Sequence, residues 1–530
     1  MKEIMLWTFE GAKIRVLLAV YVLIAVGSGF LLLYANELLM ALLNENFMTQ
    51  NFDGFLMQFL VIVGMFAAVF ASSIFAGYIH GEFEIGSQAR LIKRCMDRLM
   101  GAKFSFFVAR PAAEIYQGLW TAVQVVPSFY VNLLSMFGKA VSFVFFGIIV
   151  FSVDTFAGFF ALLALPVYFL FTLGVGNKIS ALQNEYVKQV GALAVVATEP
   201  IENVNNIKAK GVRGFFEARY MEVHKKLKRV IVGVIVWTAY INGVTAFVRM
   251  VSPLLIIFAA IQLSPNFTAT AGNITILFIN IPLFLTGMAD IHKAYIHFKM
   301  TKPFLTKLTE FSEAEQEVDT GEDIGEFKSL KVSGVKVTFE GGKEIHVPDF
   351  EATAGEKIML SGDSGVGKST IFNILQGLLT DYEGDVLVNG INLRDAKISS
   401  VRKAFGITFQ NTNVMTASID ENAKLGAKLE AEEFEKIAEI VRINAMRKNK
   451  KDDEINNKTL SGGERSRIGL AQMITFNPQV MLIDEAFSSV DEELESSILT
   501  DLTKSYASKT IICISHRASS RVYFDRVIEF

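Results

Sequence analysis

The sequence predicts an all-α domain of six membrane-spanning helices followed by an α/β domain. Long apolar runs occupy about the first 300 residues, whereas short apolar runs alternate with polar helical segments after Leu330. A glycine-rich loop at 362–370 lies between a predicted strand and a predicted helix. We therefore expect domains at 1–309 and 330–530, joined by an acidic linker at 310–329.

Composition excludes several other classes of protein. Hydrophobic residues make up 51% of the 530 residues and charged residues only 20%, so the chain is too apolar to be disordered. Its two cysteines, Cys95 and Cys513, cannot form a disulfide scaffold. A net charge of -3 argues against a nucleic-acid partner, because domains that bind nucleic acid are usually strongly basic.

Six segments are long enough to cross a membrane, which takes about 20 apolar residues in a helix. They lie at 14–34, 55–79, 133–153, 155–176, 231–262 and 274–289. The first apolar run exceeds that of a secretion signal, and no small-residue cleavage site follows it, so we expect it to remain as a span.

The distribution of basic residues predicts the orientation of these spans. Lys and Arg are frequent before the first span and in the segments 90–110 and 178–229. The segments 44–54 and 262–273 have none. Because basic loops remain in the cytoplasm, we expect a multi-pass protein of a bacterial cytoplasmic membrane. The N-terminus, both long loops and the α/β domain then face the cytoplasm, where both cysteines would be free thiols.

The glycine-rich loop has the pattern of a phosphate-binding site. A strand at Ile358–Leu360 leads into the loop, and a helix is predicted from Thr370 to Leu379. Glycines allow backbone N–H groups to surround phosphate oxygens, and the helix N-terminus adds its positive dipole end. Lys368 would reach the β- and γ-phosphates, and Ser369 would bind Mg²⁺. The residues assigned to the nucleotide here are Gly362, Ser364, Gly365, Val366, Gly367, Lys368, Ser369 and Thr370.

A second strand, Val480–Ile483, ends in two acidic residues. Ligands of open α/β sheets bind at the carboxyl ends of the strands, so these acids should lie beside the phosphate loop. We expect Asp484 to hold Mg²⁺ and Glu485 to orient and polarise the attacking water.

The segment Leu460-Ser461-Gly462-Gly463-Glu464 resembles the signature motif of the ATP-binding cassette transporters. Other motifs of that family follow in the family's order over about 330–530. They are Phe339 for adenine stacking, Gln410 of the Q-loop, the D-loop Ser489-Val490-Asp491 and the switch histidine His516. The resemblance therefore covers the whole nucleotide-binding domain.

The resemblance implies roles for these residues. Glu485, His516 and Gln410 would be catalytic, and Ser369, Gln410 and Asp484 would bind Mg²⁺. In this family the signature of one subunit meets the γ-phosphate held by the other, so the chain would need a partner, most simply a second copy. The residues expected to complete the partner's site are Ser461, Gly462, Gly463, Glu464 and Asp491.

The membrane half is similar to the exporter-type fold of the same family. Crosswise turns are expected near Phe104–Glu114 and Asn205–Gly214, at the positions of coupling helices. The chain ends at Phe530, soon after the last motif, and the segment 447–458 lacks the Gly-Glu cross-talk pattern usual in exporters. The resemblance thus implies weaker dimer support at the C-terminus and coupling that differs in detail.

Arg249 and Asn242, inside the fifth span, are the candidates for contact with the transported molecule. A charge at membrane depth normally faces a cavity or a partner, and Arg249 would suit anionic cargo. The alternative is a structural ion pair between helices or subunits. Phenylalanine-rich runs at 143–151 and 156–171 are expected to face lipid, and the alternative is that they line an apolar cavity.

We expect an ATP-driven transporter with ATP and Mg²⁺ as its cofactors, acting as a homodimer of half-transporters in membrane lipid. Hydrolysis would drive alternating access, and the exporter resemblance implies export. The alternatives are one half of a heterodimer, an importer of the same fold, or an ATP-gated regulator. The intact Glu485 and His516 argue against the regulator, since a switch that only binds ATP needs no hydrolytic water. The transported substrate stays open.

Overall fold

The structure is a computed structural model that describes residues 8, 12–42, 52–339, 343–363, 365–449 and 454–530. It divides into two compact units. The helical unit comprises Met1–Ala102 and Phe106–Gln316, and the α/β unit comprises Glu317–Phe530 with Lys103–Ser105. This division agrees with the expected fold class, a helical membrane domain followed by an α/β domain.

Helices make up the first part of the chain, and most of them are long. They are α1 (Ala12–Ala41), α2 (Phe52–Met100), α3 (Phe104–Val108), α4 (Ala112–Val153), α5 (Thr155–Thr172), α6 (Val175–Glu202), α7 (Val204–Lys210), α8 (Arg213–Leu263) and α9 (Ala271–Ser312). The short helices α3 and α7 lie where the sequence predicted crosswise turns. Asp154 separates α4 from α5 and caps α5 by accepting a hydrogen bond from the Ala157 N–H, 2.8 Å.

In the described part of the chain, five helical segments are long and apolar enough to cross a membrane. They are Ile14–Leu39, Gly54–Met100, Thr155–Glu202, Arg213–Leu263 and Ala271–Ser312. The remaining predicted span falls in α4, whose apolar section Lys139–Val153 is shorter. Many large apolar side chains on these helices are exposed, for example Phe70 and Leu163, as expected of surfaces that face lipid.

Close packing of α4 on α9 forms the centre of the helical unit. Phe143 stacks on Phe284 with ring centroids 4.6 Å apart. A Cβ at Gly287 would lie 2.8 Å from Phe143 Cβ, and one at Gly147 would lie 3.1 Å from the Phe284 ring. These glycines let the two backbones approach, as small residues do at helix interfaces in membranes.

Strands and short helices alternate in the α/β unit. The strands are β1 (Ser329–Thr338), β2 (Glu344–His346), β3 (Phe350–Thr353), β4 (Lys357–Ser361), β5 (Glu383–Val388), β6 (Ile391–Asn392), β7 (Phe405–Thr408), β8 (Val480–Asp484), β9 (Thr510–Ile514) and β10 (Arg526–Glu529). The helices are α10 (Lys368–Leu375), α11 (Ile398–Ala404), α12 (Ile419–Lys424), α13 (Ala431–Ile440), α14 (Asn444–Asn449), α15 (Gly462–Thr475) and α16 (Glu492–Ser505), with a 3-10 turn at Ala518–Tyr523.

Two sheets organise this unit. One is antiparallel, in the order β2-β1-β5-β6 with β3 beside β1, and the other is parallel, in the order β10-β4-β9-β8-β7. Every residue of β8 is buried. Leu482 belongs to the core beneath the antiparallel sheet, whereas Met481 and Ile483 belong to the core on the opposite face. Coverage of both faces explains the continuous apolar run that ends in Asp484.

The acidic segment after α9 contacts the α/β unit. Glu317 accepts two hydrogen bonds from the Arg402 guanidinium, 2.7 and 2.8 Å. Asp319 accepts one from the Ser399 N–H, 2.8 Å, at the start of α11. The pKa of Asp319 is lowered, first by that hydrogen bond and then by its contact with the Ser399 side chain.

Candidate nucleotide-binding and catalytic site

The phosphate loop connects β4 to α10, as the sequence predicts, although the helix begins at Lys368 rather than Thr370. Gly362, Gly365 and Gly367 have φ angles of +148°, +86° and +116°, which side-chain-bearing residues rarely adopt. A Cβ at Gly367 would lie 2.3 Å from Ile345 Cγ2, so glycine is required there for space as well. Ser364, also assigned to this loop, lies outside the described residues.

Lys368 is buried and its ammonium stays at the loop. Its Nζ donates hydrogen bonds to the carbonyl oxygens of Gly362, 2.7 Å, and Asp363, 2.8 Å. The positive charge therefore lies inside the ring of backbone that would surround phosphate oxygens, beside the N-terminus of α10.

Oxygen ligands for a divalent cation meet next to this loop. The Ser369 hydroxyl donates a hydrogen bond to Asp484 Oδ1, 3.0 Å. Burial raises the pKa of Asp484, the charge of Glu485 raises it further, and the Ser369 hydrogen bond and Lys368 lower it. A cation would offset the cost of burying this carboxylate, and hydroxyl and carboxylate oxygens are ligands that Mg²⁺ prefers. The donors therefore fit Mg²⁺.

The described residues contain no group of three or more His, Cys, Asp or Glu side chains that could hold a metal ion.

Glu485 is held between two donors at the carboxyl edge of the parallel sheet. Gln410 Nε2 donates a hydrogen bond to Glu485 Oε2, 2.7 Å, and His516 Nε2 lies 3.1 Å from Glu485 Oε1. These residues follow β7, β8 and β9, three neighbouring strands. Glu485 has φ of +47°, an uncommon value for a non-glycine residue, and its N–H donates to Ile514 O, 3.2 Å. Local backbone strain of this kind often occurs at functional sites.

The signature motif forms a second cluster with the D-loop. Ser461 caps α15 in a capping box: its hydroxyl accepts a hydrogen bond from Glu464 N–H, 3.2 Å, and its own N–H donates to Glu464 Oε2, 2.8 Å. A Cβ on Gly463 would lie 2.7 Å from Ser489 O, and one on Gly462 would lie 2.9 Å from Ser489 Cβ. The signature glycines therefore pack directly on the D-loop.

Asp491 has a structural contact as well as its expected role. Its side chain caps α16 by accepting a hydrogen bond from the Leu494 N–H, 2.9 Å. Phe339 lies after the end of β1, and 39% of its surface is exposed, so a face of the ring is available for stacking. The adjacent residues 340–342 lie outside the described part of the chain.

Sequence reasoning missed an ion pair beneath these motifs. Arg517, directly after His516, donates hydrogen bonds to Glu495 and to the carbonyl of Val490 in the D-loop, the latter at 2.7 Å. Ser520 Oγ donates to the other Glu495 oxygen, 2.5 Å. Glu495 is almost completely buried. The position of Arg517 beside the switch histidine was the only available sequence signal, because its partners depend on tertiary packing.

The structure thus brings the predicted site residues into two groups. The first contains the phosphate loop, Asp484, Glu485, Gln410 and His516. The second contains the signature and the D-loop. The contacts described above lie within each group.

The two cargo candidates lie on α8. Both Arg249 and Asn242 are exposed. Arg249 lines a recess of only about 10 Å³ together with Tyr168 and Thr245. Their contact with cargo stays a prediction.

Comparison with known proteins identifies two family regions in this chain. The sequence profile of the ABC transporter transmembrane region matches residues 18–287, and that of the ABC transporter matches residues 345–488. The chain also resembles a solved structure titled "Structure of a bacterial Atm1-family ABC exporter with ATP bound". That likeness has a TM-score of 0.85 at 18% identity over 98% of this chain and 94% of that chain, and it shows the shared fold.

Curated relatives differ in how much of their length is matched. The mitochondrial iron-sulfur clusters transporter ABCB7 of Danio rerio is 35% identical over 36% of this chain and 26% of its own length. The beta-(1-->2)glucan export ATP-binding/permease protein NdvA of Rhizobium meliloti is 27% identical over 62% and 58%. The chain thus spans less than two thirds of these two relatives.

The ATP-dependent lipid A-core flippase of Aliivibrio fischeri is 23% identical over 93% of this chain and 87% of its own length. The transmembrane profile alone covers 270 of the 530 residues, counting from 18 to 287, which is just over half of the chain. With the ATP-binding motifs located in one unit and the helices in the other, the chain belongs to the ABC transporter family.

Proposed function

We propose that this chain is an exporter half-transporter that hydrolyses ATP to move a substrate across the cytoplasmic membrane as a homodimer. The observation that carries this proposal is the contact of Glu485 with both Gln410 and His516, next to the Ser369–Asp484 pair. A protein that only binds ATP would not need these hydrolytic groups. The heterodimer and the importer are the remaining alternatives.

The residues of the site divide the work of hydrolysis. Lys368 and the loop backbone bind phosphate oxygens, and Phe339 stacks on the adenine. Ser369, Asp484 and Gln410 would hold Mg²⁺, which would neutralise phosphate charge. Glu485 accepts a hydrogen bond from the attacking water and orients it in line with the γ-phosphorus. His516 keeps the Glu485 carboxylate oriented and donates toward the γ-phosphate oxygens as charge moves onto them.

A second copy supplies the other half of each site. The signature cluster presents Ser461 and the N-terminus of α15, a favourable site for an anion. Because one chain carries both a phosphate loop and a signature, two identical chains related by a twofold axis complete two sites. Closure of the dimer around ATP would alternate with reopening after hydrolysis, so the helices change the side to which their cavity opens.

Two further observations support the proposed direction of transport and the proposed orientation of the chain in the membrane. The basic segments 90–110 and 178–229 support a cytoplasmic position for the α/β unit, because basic loops usually remain on that side. A relative named as a glucan export protein supports outward movement.

Reconstitution tests this proposal. The purified chain would be placed in liposomes with the α/β unit outward, and ATP-driven accumulation of labelled lipids, peptides and amphiphiles would be measured beside Lys368→Ala. The mass of the protein in lipid nanodiscs gives the number of chains. We expect two identical chains and accumulation of at least one compound, which Lys368→Ala abolishes. A monomer, or accumulation equal in the variant, would contradict the proposal.

A further inference from the structure

The helical unit contains a cavity of about 760 Å³ that no sequence motif indicated. Residues from α2, α4, α6, α8 and α9 line it. The volume lies within the range of about 300–1,000 Å³ that is typical of small-molecule sites. The charge and polarity of its lining determine which class of substrate could bind. The inference about that class therefore rests on the proposed transport function.

Glu84, on α2, is the carboxylate of this cavity. Ser128 donates a hydrogen bond to one of its oxygens, and His80, one turn earlier on α2, lies 3.5 Å from the other. Among the described residues that line the cavity there is no Lys or Arg. The nearby Lys139 and Lys293 pair instead with Asp290, at 3.3 and 3.9 Å.

The remaining wall is apolar and aromatic, with uncharged hydrogen-bonding groups. Phe129, Tyr186 and Phe304 supply ring surface, and Ile231 and Ile235 supply aliphatic surface. The polar members are mainly carboxamides, such as Gln88, Gln124 and Gln183, together with His297. Carboxamides can orient a ligand but cannot neutralise the charge of Glu84.

This combination selects for the charge of a ligand. Glu84 lies just beyond the predicted second span at 55–79, and only 26% of its side chain is exposed. A partly buried carboxylate is normally paired with a cation. An anionic ligand would be repelled by Glu84, with no Lys or Arg in the lining to compensate, whereas a cation would pair with it in surroundings of reduced dielectric constant. The recess at Arg249, by contrast, is too small to hold an anionic ligand, since even one water needs roughly 10–15 Å³.

We propose that this cavity is the substrate site and that it takes amphiphiles with one positive charge on an apolar, preferably aromatic body. Glu84 is the counter-charge, and the ring surface of Phe129, Tyr186 and Phe304 packs against the body of the ligand. Selection against anions follows from the same carboxylate.

Two ions of almost equal shape and opposite charge test this inference. Binding of radiolabelled tetraphenylphosphonium and of tetraphenylborate would be measured on the full chain in nanodiscs of zwitterionic lipid without nucleotide, with empty nanodiscs subtracted. We expect the wild-type protein to favour the cation by about tenfold or more, as one partly screened ion pair allows. Glu84→Gln should remove that preference, and Glu84→Asp should keep most of it.

Glu82→Gln is the matched control, because Glu82 lies on the same helix, is exposed and does not line the cavity. Equal wild-type affinity for both ions, or a preference that survives Glu84→Gln, would overturn the inference. Folding of Glu84→Gln would be judged by size exclusion and ATP binding. If this variant does not fold, the wild-type protein would be labelled instead with a photoreactive quaternary ammonium probe. Labelling at the cavity residues is expected, and labelling confined to other sites would contradict it.

This experiment separates the two proposals. Ion binding requires no hydrolysis, so a cation preference in a protein without ATPase activity would leave the cation-binding site standing and refute the proposed transport. ATPase activity with no charge preference would leave the transport proposal standing and refute the cationic class.

Discussion

The imidazole Nε2 of His516 lies 3.1 Å from Oε1 of Glu485, although 31 residues separate the two in sequence. Each follows its own strand, β9 or β8, and these strands are neighbours in the parallel sheet. Gln410 occupies the other oxygen of the carboxylate. The sheet therefore orients Glu485 from both sides, and loss of either neighbour should affect turnover more than nucleotide binding.

His516→Ala should lower the rate of ATP hydrolysis by about 100-fold, within the range for loss of one positioned catalytic group. ATP affinity should change little, because Lys368 and the loop backbone remain. The measurement is steady-state phosphate release beside binding of a fluorescent ATP analogue. His346→Ala is the control, since His346 is an exposed histidine on β2 of the same unit. Retention of more than half the wild-type rate would contradict the role of His516.

Asp484→Asn should act in opposite directions on stability and activity. Burial raises the pKa of Asp484, so without Mg²⁺ its ionised form destabilises the fold once the pH rises above that raised pKa. The amide removes this cost, and the nucleotide-free variant should melt at a higher temperature than the wild-type protein near neutral pH. The difference should shrink as the pH falls through the raised pKa.

Hydrolysis by Asp484→Asn should fall by at least about 100-fold, because a carboxylate ligand of Mg²⁺ is lost. The Mg²⁺ concentration needed for half-maximal turnover should also rise. Thermal melts across pH and Mg²⁺ titrations check both parts. If Asp484→Asn is less stable than the wild-type protein without nucleotide at neutral pH, then burial of the Asp484 carboxylate does not destabilise the fold.

Arg517→Leu should destabilise the α/β unit by about 3 kcal/mol, since it leaves the buried Glu495 carboxylate uncompensated. For a unit of this size the loss corresponds to a fall in Tm of roughly 6 °C or more. Arg521→Leu is the control, because Arg521 is exposed. The double variant Arg517→Leu/Glu495→Leu should recover part of the loss. Additive destabilisation in the double variant would show that the two residues do not act as a pair.

Phe339→Ala should weaken ATP binding by about tenfold or more, as expected from loss of base stacking worth about 1–3 kcal/mol. Phe339→Tyr should bind ATP as the wild-type protein does, because the ring face is kept. Tripolyphosphate, which has no base, should bind the Ala variant and the wild-type protein equally. If the substitution weakens the binding of ATP and tripolyphosphate equally, it disturbs the phosphate loop and not the stacking on adenine.

The sequence predicted the local parts of the site and not those that depend on packing. The strands before Gly362 and after Gln479 could be predicted because each apolar run ends in a recognisable motif, the glycine-rich loop or the two acidic residues. Both strands lie where they were expected. The helix after the loop starts two residues early and ends at Leu375, four residues before the expected end, since helix boundaries carry weak signals.

Long-range contacts were not readable in the same way. The cavity at Glu84 brings together helices separated by up to about 200 residues, and only helix packing decides which of their faces meet. The pairing of Arg517 with Glu495 and that of Glu317 with Arg402 have the same origin. A run of acidic residues alone resembles a solvated tether, and its contacts with α11 emerge only from the fold.

ATP hydrolysis by the purified chain alone, in lipid nanodiscs, tests the central claim most directly when compared with Glu485→Gln. We expect steady turnover by the wild-type protein with a Hill coefficient above one, because two copies share two sites. The variant should lose at least about 100-fold in rate while it still binds ATP. Tight ATP binding without turnover by the wild-type chain, or equal turnover by Glu485→Gln, would contradict a self-sufficient homodimeric ATPase.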